Sequence, residues 1–295
     1  MLDGGYSGRT ERWWMAVRQC LPGDWAGSSN GCARGPATQT EVADYCGTYS
    51  TTISKIETGD RVGPPSVIKL MLQLYGIEGA QSEQLLQLAA QAREPGWWAD
   101  YGDDVIPHWF TEYLGLESAA NEVWTFQQGY VPGLLQTRHY TEAVTAAINA
   151  TRPSESANEF ARVRATRQER LTGPEPLRLW AILDEAVLHR KVGGPGVMRE
   201  QLTRLMDAAS QQPTITVQIL PFSAGAHPGM TGPFTILRFA EESMNIVYLE
   251  QRGGAVYLER PVDVEVHEAT FRRLSDLALS EDNTISLLNE IERGH

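Results

Sequence analysis

Cysteine is scarce in this 295-residue chain: there are three, Cys20, Cys32 and Cys46, and none beyond position 46. The number is odd and no C-x-x-C spacing occurs, which argues against both a disulfide framework and a thiolate zinc site. Long apolar runs are also absent. Charge, Gly or Pro interrupts every hydrophobic stretch within a few residues, and none approaches the roughly 20 residues of a membrane-spanning helix. The opening stretch MLDGGYSGRTERWW has no apolar central region and no cleavage-like site, so no signal peptide is expected. The expectation is a cytoplasmic protein with no membrane partner.

Catalytic and cofactor signatures are missing too. There is no H-x-H, no H-E-x-x-H and no acidic cluster at ligand spacing, so no metal is expected. There is no G-x-S-x-G nucleophile elbow, and VGGPGV at 192–197 lacks the Lys-Ser/Thr ending of a phosphate-binding loop. The expectation is therefore no catalytic residue, no cofactor and no enzyme.

Positive charge is the third scarcity. Lys and Arg number 25 against 37 Asp and Glu, a formal charge of −12. The imbalance is uneven. Residues 1–95 carry 8 cationic and 10 anionic side chains, whereas residues 96–295 carry 17 and 27. The second region repels nucleic acid, so any DNA contact has to come from the first.

What is present begins with helical signals. TERWWMAVRQCL (10–21) makes an amphipathic helix candidate with Trp14, Val17 and Leu21 on one side, followed by a Gly/Ser-rich loop to residue 37. Thr38 and Glu41 form a T-x-x-E capping box that opens a helix over 39–46, which Gly47 ends. A second helix covers 50–58. Pro64-Pro65 opens a third, and a fourth spans about 81–93. Beyond a boundary placed near 95 the pattern is mixed. Helices are expected at 106–120, 137–150, 155–171 and 199–210, with two more in 261–293. Strands are expected in EVWTF, LRLWAILDE, TITVQILPF, PFTILRF, NIVYLEQ and AVYLE. The predicted architecture is an irregular segment (1–37), an all-α helix-turn-helix bundle (38–95) and an α+β domain with a mostly antiparallel sheet (96–295).

Residues 39–58 read as a twenty-residue helix-turn-helix unit. Val42 is apolar at its fourth position, Ala43 is small at the fifth where two helices approach, and Gly47 occupies the turn. Ile53 and Ile56 form the core-facing pair of the second helix. At 100° per residue, with Ile53 at 0°, Thr51, Ser54, Lys55 and Thr58 fall at about 160°, 100°, 200° and 140°, opposite the core. Ser50 and Thr51 stand at the helix N-terminus, the end that enters a DNA groove in this motif. Lys55 is the one side chain of this face suited to a strong contact with guanine. Arg61 and Lys69 are candidates for phosphate contact.

The stretch TQTEVADYCGTYSTTISKIETG (38–59) resembles the XRE family of phage-repressor-like helix-turn-helix regulators. That resemblance implies that Gln39 contacts a phosphate and braces the second helix, and that Ser50, Thr51 and Lys55 face bases. Further along, GWWADYGD, VPGLLQT, LWAILDEAVL, VGGPGVMREQL, ILPFSAGAHPGMTGPFTIL and VYLERP together look like one bacterial subfamily in which an XRE domain precedes an antitoxin-like domain. The resemblance implies a homodimer, double-stranded DNA as ligand, and a small partner protein encoded nearby. One departure stands out. The charged first helix of such domains is replaced here by the Trp-rich stretch and the Gly/Ser loop, which leaves open a divergent first helix or a misread upstream frame.

In the second region, His227 lies between Gly and Pro residues in SAGAHPGMTGP, with Glu185 upstream and Glu250 and Tyr257 downstream as candidates for one ligand or partner pocket. Asp184 and Glu185 make a poor acid–base pair, because neighbours on a regular strand face opposite ways. Two functional classes follow: a DNA-binding regulator whose second domain binds a partner or ligand, or an enzyme or small-molecule-binding protein built on that domain with a vestigial DNA-binding region.

Overall fold

The structure, a computed structural model, describes Val17 and residues 38–58, 61–93, 96–102, 105–148, 155–240 and 242–294. The fold is an all-α N-terminal bundle followed by a mixed α+β domain with a largely antiparallel sheet. Most of the amphipathic candidate at 10–21 lies outside the described residues; of its three apolar positions only Val17 is described, and it is helical and buried.

The chain divides into two compact units, one ending at Leu116 and the other beginning at Glu117. The sequence places a boundary near 95. Trp98, Val105 and Ile106 are buried and fall on the first unit's side of the division, so the packing runs past the proline-glycine signal at 95–96.

The first unit contains α1 (Gln39–Cys46), α2 (Ser50–Glu57), α3 (Pro65–Leu74) and α4 (Gly79–Arg93). Thr38 caps α1 as expected. Its backbone N donates to Glu41 Oε2 at 2.6 Å, and Glu41 N donates back to Thr38 Oγ1 at 3.3 Å. Gly47 ends α1 at φ 63°, ψ 39°, a left-handed geometry that favours glycine. Val42, Ala43 and Cys46 of α1, Ile53 and Ile56 of α2, and Val67, Ile68, Met71 and Leu72 of α3 are buried. Pro65 starts α3 at its first turn, where the missing N–H costs nothing. Helix α5 (His108–Ala119) runs across the division between the units.

The second unit is built on six strands: β1 (Glu122–Gln127), β2 (Arg178–Asp184), β3 (Ile215–Leu220), β4 (Phe234–Arg238), β5 (Ile246–Gln251) and β6 (Gly254–Leu258). They lie in the order β3-β2-β1-β4-β5-β6. Three neighbouring pairs are antiparallel and two, β1 with β2 and β2 with β3, are parallel. The parallel pairs follow from the connections. Helices α6 (Arg138–Ile148) and α7 (Glu155–Gln168) separate β1 from β2, and α8 (Ala186–His189) and α9 (Pro195–Gln211) separate β2 from β3. The tail forms α10 (Pro261–Leu277) and α11 (Glu281–Gly294).

One sheet face presents Trp124, Phe126, Ile182, Phe234, Ile236 and Val247 to Val264, Phe271 and Leu274 of α10, forming the main apolar core of this unit. Strand β3 is an edge, and the tail satisfies the outward ladder groups of Ile219. Ile219 N donates to Thr284 Oγ1 at 3.2 Å, and Leu279 N donates to Ile219 O at 2.8 Å. Among the described residues, no helix is long and apolar enough to cross a membrane.

Candidate functional site

In the first unit, α2 separates into two faces. Ile53 and Ile56 are completely buried, while Ser50, Thr51, Lys55 and Thr58 are exposed, Ser54 is half-buried, and Arg61 is exposed just beyond. The outward face is a row of hydroxyls around one ammonium. Not all of those hydroxyls are equally available. Thr58 Oγ1 donates to Ser54 O at 3.0 Å, so it presents acceptor lone pairs outward.

Gln39 is half-buried at the start of α1, and its Nε2 donates to Glu57 Oε2 at 2.9 Å. It therefore ties α1 to the last residue of α2 and holds that helix in place. Glu57 is 2% exposed, and its other oxygen accepts from the Tyr75 hydroxyl at 2.7 Å. Burial and the neighbouring Glu57 charge push the Tyr75 phenol above its ordinary pKa. Of this hub the sequence picks out Gln39 as the brace of the second helix, but neither Glu57 nor Tyr75; the three join α1, α2 and the end of α3. A buried carboxylate is costly unless its lone pairs are met by donors, which is why the two contacts are short.

In the second unit, the structure gives each of the four residues expected to share a pocket contacts of its own. His227 packs over Phe126 with ring centroids 5.9 Å apart, and its Nε2 lies 3.9 Å from Asp184 Oδ2. Its partner is thus Asp184 at the end of β2 rather than Glu185. Glu185 lies past the strand end in helical backbone. Its Oε2 accepts from Phe222 N at 2.7 Å and its Oε1 lies 3.2 Å from His189 Nε2, so it pins the 221–225 turn. Gly229 in the same loop sits so close to the sheet that a Cβ there would lie 2.4 Å from Phe126 Cε1. Glu250 and Tyr257 stand on the β5–β6 hairpin, where Tyr257 meets Tyr248 at 5.4 Å between ring centroids.

Glu250 is exposed, yet crowding by protein holds its carboxyl above the usual range, against the pull of Arg164 and Arg167, which belong to a cluster the sequence reading passed over. Arg167 is 8% exposed and grips the 3%-exposed Glu117 with two bonds of 2.7 Å, Nε to Oε1 and Nη2 to Oε2. Arg164, one turn earlier on α7, donates to Gln136 Oε1. Burial and the adjacent Arg167 lower its pKa to about 10, and burial pushes Tyr130 up to about 12. Gln136 in turn donates to Val131 O and accepts from Thr141 Oγ1. Gln168 Nε2 donates to the carbonyls of Gly133 and Gln136, and Gln201 Nε2 donates to Leu135 O. The VPGLLQT segment (131–137) is thereby fixed by side chains from α7 and α9. A Cβ on Gly133 would lie 3.0 Å from Arg167 Nη1, so glycine gives the guanidinium its room.

A comparison with protein families matches residues 110–290 to the family described as Domain of unknown function (DUF5753). The chain belongs to this family. The DUF5753 match takes in all six strands, the Asp184–His227 pair and the Arg164–Arg167 cluster, and leaves α1 to α4 outside it. No curated protein matches the chain, and no solved structure does. Among the described residues, no group of three or more His, Cys, Asp or Glu side chains is placed to hold a metal ion.

Proposed function

We propose that the chain is a sequence-specific DNA-binding regulator in which α2 reads DNA and the DUF5753 domain binds a small partner protein or ligand. The observation that carries this reading is the division of α2 into a buried face of Ile53, Ile56 and Glu57 and an exposed face of Ser50, Thr51, Lys55 and Thr58. The Gln39–Glu57–Tyr75 hub supports it further, because a helix that reads base edges has to be held rigidly by its neighbours. In this proposal Lys55 supplies the strongest base contact, Ser50, Thr51 and Ser54 supply hydroxyl contacts, and Gln39, Thr58 and Arg61 lie toward phosphates. The protein acts as a homodimer on two half-sites about one helical turn apart. A partner in the antitoxin-like manner is the reading carried by the family resemblance of VPGLLQT and ILPFSAGAHPGMTGPFTIL.

A second reading, an enzyme built on the DUF5753 domain, would rest on the Asp184–His227 pair. Titrating the full chain onto labelled DNA from upstream of its own gene separates the two. The regulator reading predicts retardation at low salt with a shallow dependence on salt, since few cations face the DNA. No retardation at low salt, with or without the neighbouring gene's product, would overturn it.

A further inference from the structure

At the end of the sheet where β1, β2 and β3 begin and β4 ends lies a cleft of about 530 Å³. It lies on the face that also carries the core under α10. The register aligns Glu122 with Arg178 on one side and Arg238 on the other, and places Trp124 beside Trp180 and Trp180 beside Thr216. Ser275 of α10 and Glu281 of α11 close the far side.

Both arginines of this lining are paired with carboxylates, and Glu281 at the far side is the one charged lining residue with no ion pair among the described residues. Glu122 lies 3.7 Å from Arg178 and 3.9 Å from Arg238, and Arg238 also reaches Glu268 at 3.6 Å while stacking over the Trp124 ring at 4.2 Å. Two arginines and two glutamates in the wall leave it formally neutral. An anionic ligand would meet no uncompensated cation here.

Uncharged hydrogen-bonding capacity is unmet. Among the described residues, the half-buried hydroxyls of Thr214 and Thr216 have no hydrogen-bond partner. The indole N–H of Trp124 is buried and also has none, although the residue is only 4% exposed. An unpartnered buried donor is costly and calls for an acceptor. By contrast, Trp180 Nε1 and Ser275 Oγ both donate to Gln218 Oε1, at 2.8 and 2.9 Å, so that part of the wall is fixed. The half-buried Trp180 indole adds an apolar surface beside the hydroxyls. Donors, acceptors and a flat apolar ring at a neutral site fit a molecule with several hydroxyls on one edge and C–H groups on its face.

We infer that this cleft binds an uncharged, hydroxyl-rich ring, a mono- or disaccharide. The inference is independent of DNA binding, because it is read by ligand binding alone. The test is calorimetric titration of the full chain with glucose, N-acetylglucosamine, maltose and trehalose, with glycine and acetate as charged controls. Saturable binding of at least one sugar is expected, with neither control binding. Thr214→Val and Thr216→Val keep side-chain shape, and each is expected to weaken that sugar about three- to tenfold while leaving the circular dichroism spectrum unchanged. Binding by none of the four sugars overturns the inference, as does binding of glycine or acetate in their place. Sugar binding that neither valine variant alters places the sugar elsewhere and overturns it equally.

Discussion

Glu57 and Glu117 are both nearly inaccessible, at 2% and 3% exposure, yet the two units hold them differently. Glu57 receives an amide from α1 and a phenol from the end of α3, two separate donors on two separate helices. Glu117 receives both of its short bonds from one guanidinium on α7. The first arrangement divides a carboxylate's demand between two donors and makes it a junction between helices. The second places two short charge-assisted bonds in one bidentate pair. The junction lies on the helix proposed to read DNA, where a change in any of three helices would shift its exposed face. The clamp lies beside VPGLLQT, where it fixes a turn.

The largest effect is expected where the hold is concentrated. Arg167→Ala removes one partner of a buried pair and should cost about 3–5 kcal/mol, read as a lower denaturant midpoint of the DUF5753 domain. A loss near zero would mean the pair is not buried as described. Tyr75→Phe deletes a hydrogen bond to a charged group and should cost about 1.5–3 kcal/mol, seen in the melting of the first unit. The same variant tests pH dependence. Because the folded-state pKa of Tyr75 is raised, the phenol's contribution is fully present below its ordinary value of 10.0 and fades as pH climbs above it. Wild type should therefore lose stability above that pH more steeply than Tyr75→Phe; parallel curves would show that Tyr75 is not the group responsible. Gln39→Ala should cost about 1–2 kcal/mol, less than the tyrosine change because the amide is half-buried and water can replace it. Smallest of all, Lys55→Ala should leave stability within about 0.5 kcal/mol, since the side chain is exposed on α2.

The first unit's motif was legible because its signals are local. The Thr38–Glu41 box, the Gly47 turn and the Ile53/Ile56 pair each act within a few residues, and each takes the geometry its pattern requires. Glu57 was legible in part. On the same helical wheel it falls at about 40°, on the isoleucine side, where a carboxylate needs partners. Its partner Tyr75 lies 18 residues away, and no local rule names it. Strand positions followed from alternation, whereas partners did not. The helices between β1 and β2 were the available sign that those strands run parallel, because a long helical connection permits it. Arg164 and Arg167 were obscured by composition. A helix rich in Arg and Glu reads as solvated, yet these two, three apart on one side of α7, turn inward toward Glu117 and Gln136. For the pocket expected from His227 and its neighbours, the long-range contacts were not legible: Glu185 accepts from Phe222 N, and Glu250 stands on the β5–β6 hairpin.

The central claim is that the exposed face of α2 reads DNA. Fluorescence anisotropy with an operator selected from random duplexes tests it, comparing wild type with Lys55→Ala at fixed low salt. The account predicts selection of a two-fold symmetric site and about a tenfold loss for Lys55→Ala with folding unchanged. Failure to enrich any sequence, or equal affinity of the two proteins for the selected site, would contradict it.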